Sequence, residues 1–310
     1  MTELKVSVSP HIRSGRTTQK IMLDVIIALS PALVAAVILF GARALLLTAV
    51  SAAACVVLEY SWERLMKKDV TVTDLSAIVT GILIAFNVPA GMPVWKLLVG
   101  DVVAILVVKM LFGGLGCNFV NPALVGRIVM FFSFTSDMTA YSYPANTIDA
   151  LSGATPLALI KNGELGWSEF GHLLLGLHGG VLGETCAVAI LIGFVYLCVR
   201  RVIKPIIPLT YLGTVLLFSW IFGSSQPVLS LFAGGLMLGA VFMATDYVTT
   251  PFTNKGKLIF GVGCGLLTAA MRVFASSAGA VSFSILLMNL VVPYINDLTM
   301  PKPFGGVTAK

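Results

Sequence analysis

Charge is scarce in this sequence. Only 11% of its 310 residues are Asp, Glu, Lys or Arg, whereas 57% are hydrophobic and the mean hydropathy is +0.97. An ordinary soluble domain carries about a quarter charged residues, so a water-soluble fold is excluded. Cysteine is sparse as well. Cys55, Cys117, Cys186, Cys198 and Cys264 include no C-x-x-C pair. An iron–sulfur cluster held by this chain alone needs four closely placed thiolates, and the spacing does not provide them. Four of the five lie within apolar runs and read as small buried hydrophobes. Cys117 sits in a glycine-rich break and stays open to a site shared with another protein of a complex. His172 and His178 show no metal-ligand spacing and read as surface or interfacial histidines. No strand precedes the Gly-x-Gly of this chain, so it is no dinucleotide fingerprint. The net charge of +6 is the usual mark of Lys and Arg in cytoplasmic loops of a membrane protein, and no nucleic-acid partner is expected.

What is abundant is the long apolar run. A hydrocarbon core of roughly 30 Å needs about 20 apolar residues as helix. Runs of that kind fall at approximately 21–40, 42–60, 72–89, 94–112, 119–134, 181–199, 206–222, 228–246, 258–275 and 282–298. They are too long for barrel strands, and lipid offers no partner to an open strand edge. The expected fold is an all-α polytopic membrane protein with ten transmembrane helices and membrane lipid as its surroundings. The polar, basic first twenty residues and the long apolar run behind them predict a first helix that inserts and stays, not a cleaved signal. With the N-terminus in the cytoplasm, the inner segments hold fourteen basic residues, grouped around Arg13 and Arg16, Lys67 and Lys68, Arg200 and Arg201, Lys255 and Lys257, and the C-terminus. The outer loops hold three: Arg43, Lys96 and Lys161. That asymmetry predicts both termini inside.

The chain divides into residues 1–134 with helices one to five, a polar segment 135–180 on the extracytoplasmic side, and residues 181–310 with helices six to ten. An odd number of helices per half gives the halves opposite orientation, which predicts two inverted five-helix repeats with functional sites near the midplane on broken helices. The endings Asn87-Val-Pro89 and Asp246-Tyr-Val-Thr-Thr-Pro251 of the third and eighth runs fit such a pairing.

Within the polar segment lies Asp149-Ala150-Leu151-Ser152-Gly153-Ala154-Thr155, followed by Pro156. Structurally, Thr155 reads as an N-cap with Pro156 as the first helical residue. Functionally, a hydroxyl beside the small residues Gly153 and Ala154 is open to a modifying enzyme, and helical N–H groups favour a phosphate at that position. The two readings are compatible. A second break, Gly113-Gly-Leu-Gly-Cys117-Asn118-Phe-Val-Asn121-Pro122-Ala123-Leu-Val-Gly126-Arg127, reads as a loop in which Asn121 caps the fifth helix and Pro122 starts it. It also reads as a re-entrant segment lining a cofactor or ion path. Asn-Pro-Ala occurs once, whereas water channels use two copies.

Several charges fall in or beside the spans, each costing about 2.5–3.5 kcal/mol at mid-bilayer. Asp24 and Glu59 lie near enough to span ends to reach headgroups, and Lys109 is expected to snorkel to the cytoplasmic face. Asp101 and Asp246 are candidates for an ion path. For Asp246 the alternative is a plain helix-end residue near Lys255 and Lys257.

The stretch ending at Thr155 resembles the flavinylation signature of the RnfD and NqrB family, in which the last threonine receives FMN through a phosphoester. The Gly113–Arg127 segment and Phe242-Met-Ala-Thr-Asp246 resemble that family too, in the same order, and the absence of a long N-terminal extension resembles the RnfD branch. The resemblance implies a membrane flavoprotein subunit of a ferredoxin:NAD oxidoreductase complex that couples electron transfer to Na⁺ or H⁺ movement in the bacterial cytoplasmic (inner) membrane. It implies covalent FMN at Thr155, with Asp149, Ser152, Gly153 and Ala154 around the attachment, Arg127 to neutralise flavin charge and Asn121 nearby. It further implies a noncovalent riboflavin, the other Rnf subunits (RnfA, RnfB, RnfC, RnfE and RnfG) as partners, and a flavin transferase during maturation. The competing class is a small-solute channel or secondary transporter, which suits ten helices with inverted repeats equally well but has no use for a flavin ester.

Overall fold

The computed structural model describes residues 15–141, 156–163, 166–275 and 279–301. Those residues form helices and connecting turns only, with no strand among them. The helices are α1 (Thr18–Phe40), α2 (Ala42–Leu65), α3 (Ser76–Phe86), α4 (Val94–Val102), α5 (Pro122–Ser133), α6 (Thr135–Thr139), α7 (Pro156–Asn162), α8 (Phe170–Leu175), α9 (Ala187–Val199), α10 (Ile206–Ile221), α11 (Leu236–Leu238), α12 (Asn254–Phe274) and α13 (Ala280–Thr299). The last turns of two of them widen: α4 runs on as π-helix over Val103–Met110 and α11 over Gly239–Met243.

Four helices are long and apolar enough to cross a membrane: α1, α2, α12 and α13. The shorter apolar helices α3, α5, α9 and α10 have 11, 12, 13 and 16 residues. At 1.5 Å per residue, α3 and α5 reach only about 16–18 Å, roughly half the hydrocarbon thickness. Each of the ten apolar runs of the sequence contains helix, but the third, fifth and eighth contain only part-length helix. The helix of the third stops before Val88-Pro89, that of the fifth starts at Asn121-Pro122, and that of the eighth starts after Gly234-Gly235, inside the bundle, where non-helical backbone is tolerated if it is buried in protein or lines a cavity.

Small residues set the helix packing. Gly261 and Gly265 of α12 lie one turn apart against α10. A Cβ at Gly261 would meet Thr210 Oγ1 at 2.0 Å, and one at Gly265 would meet Thr214 Cβ at 2.5 Å. Thr210 and Thr214 donate to their own i−4 carbonyls, both at 2.7 Å, which removes their hydroxyls from the apolar interface. The same device joins α1 to α9: a Cβ at Gly193 would stand 2.3 Å from the Ala28 carbonyl oxygen. Lipid tails are as apolar as leucine, so close backbone approach rather than hydrophobic exclusion holds such helices together.

Asp24 pairs with Arg200 at 3.2 Å and accepts from Tyr196 Oη at 3.0 Å, tying α1 to α9. Three polar expectations, for Glu59, Lys109 and His178, are corrected. Lys109 does not snorkel. It is 2% exposed, and its Nζ donates to Glu59 Oε2 and Ser76 Oγ, both at 2.6 Å, while Glu59 is 0% exposed. His178 is buried rather than superficial, its Nδ1 beside the Gly179 carbonyl at 3.2 Å. Burial pushes its imidazole below the ordinary histidine value, so it is neutral at pH 7. His172 is exposed and sits 2.8 Å from Glu169, as a surface histidine should.

Candidate functional site

The geometry centres on α5. Asn121 is its N-cap, accepting from the backbone N–H of Ala123 at 3.0 Å and of Leu124 at 3.4 Å, with Pro122 as first residue. That much is the expected cap. The cap, however, lies inside the bundle. Asn121 is 4% exposed, and its Nδ2 donates to the Met243 carbonyl at 3.3 Å, bridging to the end of the π-helical stretch after α11. The chain before Asn121 therefore enters the bundle as non-helical backbone. Gly113, Gly114 and Gly116 take φ of +120°, +96° and +92°, which an L side chain rarely adopts. The break is a capped helix start, and its Leu115, Asn118 and Asn121 line a cavity.

That cavity is a cleft of about 750 Å³ at the end of the bundle that carries Arg16 and Arg200. Asn118, Asn121, Thr80, Lys109, Thr245 and Asp246 supply its polar wall, and Met22, Val25 and Phe242 are among its apolar lining. The mixture of apolar walls with a few placed polar groups is that of ordinary ligand pockets. Asp246 is partly buried here. Its Oδ2 accepts from Thr249 Oγ1 at 3.2 Å, and its carbonyl accepts from Thr250 Oγ1 at 2.8 Å. Among the described residues no ion pair within 4.0 Å joins it to Lys255 or Lys257.

Arg127 is six residues beyond Asn121, about 9 Å along the helix axis. It lines a second chamber, of about 560 Å³, together with Tyr141, Pro156, His178, Glu184 and Gly234. Arg127 Nη1 donates to Asn87 Oδ1 at 2.6 Å, and Asn87 Nδ2 donates to the Leu83 carbonyl at 2.6 Å, so the C-terminus of α3 orients the guanidinium. The turn after α3 is held by the segment before α9: Leu182 N–H donates to the Val88 carbonyl at 3.1 Å and Gly183 N–H to the Phe86 carbonyl at 2.9 Å. Behind Gly234, Arg272 donates to the carbonyls of Ser230 at 2.6 Å, Ala233 at 2.8 Å and Gly234 at 3.1 Å. Glu184 lies in the field of both arginines. Gly234 and Gly235 have φ of +68° and +67°, and a Cβ on Gly235 would meet Glu184 Oε2 at 2.6 Å. Arg127 and Glu184 are the charged side chains that line the chamber, and Arg272 acts on Glu184 from beyond its wall. His178 Nε2 has no hydrogen-bond partner among the described residues.

Asp149, Ser152, Gly153, Ala154 and Thr155 lie outside the described residues. Pro156 is the first residue of α7, as the N-cap reading of Thr155 requires, and it lines the Arg127 chamber. Asp101 lines neither chamber. It is fully buried between α2 and α4, where Ser51 Oγ donates to its Oδ1 at 2.6 Å. Sequence reasoning missed Asn87 and Glu184 as functional neighbours of Arg127. Asn87 was visible as a polar residue directly before Val-Pro in an apolar run, a signal that a helix stops inside the membrane. Cys117 is exposed, and no group of three or more His, Cys, Asp or Glu able to hold a metal occurs among the described residues.

Comparison with known proteins bears on the same residues. The model of the NQR2, RnfD, RnfE family matches residues 5–305. The chain is 45% identical to the D subunit of the Na(+)-translocating ferredoxin:NAD(+) oxidoreductase complex of Acetobacterium woodii, over 99% of this chain and 97% of that one. It is 39% identical to the D subunit of the proton-translocating ferredoxin:NAD(+) oxidoreductase complex of Clostridium ljungdahlii, over 97% of this chain and 96% of the relative. It is 33% identical to the D subunit of the ion-translocating oxidoreductase complex of Actinobacillus succinogenes, over 97% and 98%. With a match across nearly its whole length, the chain belongs to the NQR2, RnfD, RnfE family, among its RnfD members.

Proposed function

We propose that this chain is the membrane flavoprotein subunit of an Rnf-type complex, passing electrons through FMN esterified to Thr155 while the complex moves Na⁺ or H⁺. Membership of the family supports the complex: relatives are named as D subunits of ferredoxin:NAD(+) oxidoreductase complexes. The observation that carries the flavin reading is Pro156. The residue next to the proposed attachment lines a chamber with an oriented arginine and an unpartnered buried imidazole nitrogen. Those groups suit an anionic phosphate and the hydrogen-bonding edge of a flavin ring. Flavin supplies the one- and two-electron chemistry that side chains lack. The residues of this chain bind and orient. Arg127 lines the chamber, and Asn87 at the end of α3 holds its guanidinium in place.

The cleft at the other end of α5 is suited to a second, noncovalent flavin such as riboflavin, with the Asn118 and Asn121 amides as donors and acceptors. α5 then carries one site near each of its ends. Asp246, in the wall of that cleft with Thr249 and Thr250, offers oxygen ligands to Na⁺ or a carboxyl for H⁺. The helices are taken to form ten spans in two inverted halves, with residues 135–180 outside and both termini inside. The test is flavin fluorescence in a denaturing gel of protein made with its flavin transferase. A fluorescent band at about 33 kDa that disappears in Thr155→Val supports the ester. A native band without fluorescence removes it and leaves the transporter reading.

A further inference from the structure

One face of α2 carries a line of groups that the flavin reading does not use. Ser51, Cys55, Glu59 and Glu63 follow each other at intervals of four, so each stands one helical turn from the next on the same face. Their exposures are 0%, 0%, 0% and 2%. α4 and its π-helical continuation supply the facing groups, Asp101 at 0% and Lys109 at 2%. The Cys55 thiol faces the Asp101 carboxyl, and Glu59 and Lys109 lie within its field.

The cationic partner is unequally shared. Lys109 holds Glu59 Oε2 and Ser76 Oγ, each at 2.6 Å. Asp101 Oδ1 lies 2.6 Å from the Ser51 hydroxyl, whose single proton also has the Gly81 carbonyl within reach at 2.9 Å. Among the described residues, Asp101 Oδ2 has no hydrogen-bond partner, nor does Glu59 Oε1. On the other side of α4, α5 brings Gly126 and Met130 against Gly100 and no charge. From the start of α3, Ser76 and Asp74 approach Glu59 and Lys109, not Asp101. An ionised carboxylate without a cation in a dry seam is strongly disfavoured. Asp101 is 0% exposed and lines neither chamber at the ends of α5 nor the vestibule beside Glu63. A proton is the counter-charge that needs no space of its own.

At the far end of the line the seam opens. Glu63 accepts from Thr71 Oγ1 at 2.5 Å and from Thr71 N–H at 3.1 Å, and leaves Oε2 unpartnered. It lines an open vestibule of about 890 Å³ with Lys68, Asp69 and Asp74. We infer that the α2–α4 seam is a proton site with one-sided access: Asp101 holds a proton that exchanges with the vestibule through Cys55, Glu59 and Glu63. In release, the Asp101 proton passes to Cys55 Sγ as the thiol proton leaves for the free Oε1 of Glu59 and on to the vestibule: one O–H bond breaks on Asp101, one forms on Glu59, and the thiol is unchanged. Uptake runs the same transfers in reverse and restores the proton on Asp101 before the next release. Lys109 keeps Glu59 near the line and opposes a second positive charge there. This deepens the ion-coupling part of the proposed function and assigns that role in the seam to H⁺, independently of any flavin.

The test is infrared spectroscopy of the full chain in detergent, with carbon-13 in the aspartate carboxyls. A protonated-carboxyl C=O band shifted by the label should appear at neutral pH, move in D₂O, and be indifferent to Na⁺. It should lose intensity in Asp101→Asn. If that variant does not fold, Asp101→Glu keeps the acid but removes it from the labelled set, and the labelled band should fall equally. Glu59→Gln should slow its shift in D₂O. Three results overturn the proposal: no labelled aspartic-acid band in the native protein, a band unaltered by the Asp101 variants, or a band lost on adding Na⁺. Flavin fluorescence of the same samples separates the two proposals, because an intact band without flavin fails only the flavin reading.

Discussion

Replacing Lys109 with Met removes the cation that faces Glu59 in the bundle and keeps most of the side-chain volume. Glu59 Oε2 then loses a 2.6 Å charge-assisted hydrogen bond at 0% exposure, and Ser76 Oγ loses its donor. Removing one partner of a buried pair costs roughly 3–5 kcal/mol, whereas replacing both by apolar side chains is often neutral or stabilising by about 1–4 kcal/mol. Lys109→Met and Glu59→Leu should therefore each destabilise by about 3 kcal/mol or more, and the double variant should recover most of that loss. The assay is reversible unfolding in mixed micelles, followed by the emission of Trp62, which lies one turn from Glu59 on α2. Single variants that both stay within about 0.5 kcal/mol of the native protein, the scale of surface substitutions, would refute a buried pair. A double variant as unstable as the two single losses added together would refute it equally.

Three further outcomes are expected. Gly193→Ala drives a methyl group to 2.3 Å from the Ala28 carbonyl oxygen, so α1 and α9 must separate. The cost should be about 1–3 kcal/mol in the same unfolding assay, as for other overpacked interiors. Asp246→Asn should leave the assembled complex with its flavin but without ion-dependent stimulation of electron transfer; unchanged rate and cation dependence would make Asp246 a structural residue only. Cysteines placed at Glu164 should be labelled by impermeant reagents from outside, and those at Lys68 and Arg201 from the cytoplasm. The reverse pattern would turn the assumed orientation over.

The helical class is legible in the sequence because lipid leaves few alternatives: the hydrophobic runs stand out, and their length excludes strands. Local backbone chemistry is legible too. The Asn121 cap, Pro122 at the first position of α5 and Pro156 at the first position of α7 all follow from one residue and its neighbours. Side-chain partners are not, because they are set by which helices meet. Lys109 and Glu59 are fifty positions apart, and nothing in either run says that they face each other. The default for a lysine near a helix end is to snorkel, and here a buried carboxylate displaces that default. Arg127 is singled out by its segment, but its orienter Asn87 and its neighbour Glu184 come from elements far along the chain. The spacing of Ser51, Cys55, Glu59 and Glu63 is in the sequence and points to a polar face on an otherwise apolar helix. Its meaning depends on Asp101 and Lys109 lying opposite, which only the packing supplies.

Whether this chain carries a covalent flavin is decided by the mass of the peptide that contains Thr155, cut from protein made in a host that supplies the flavin transferase. The expected peptide carries one FMN through a phosphoester on the Thr155 hydroxyl, and Thr155→Val yields the same peptide without it. An unmodified Thr155 in protein from a complex that is active would contradict the flavin reading outright.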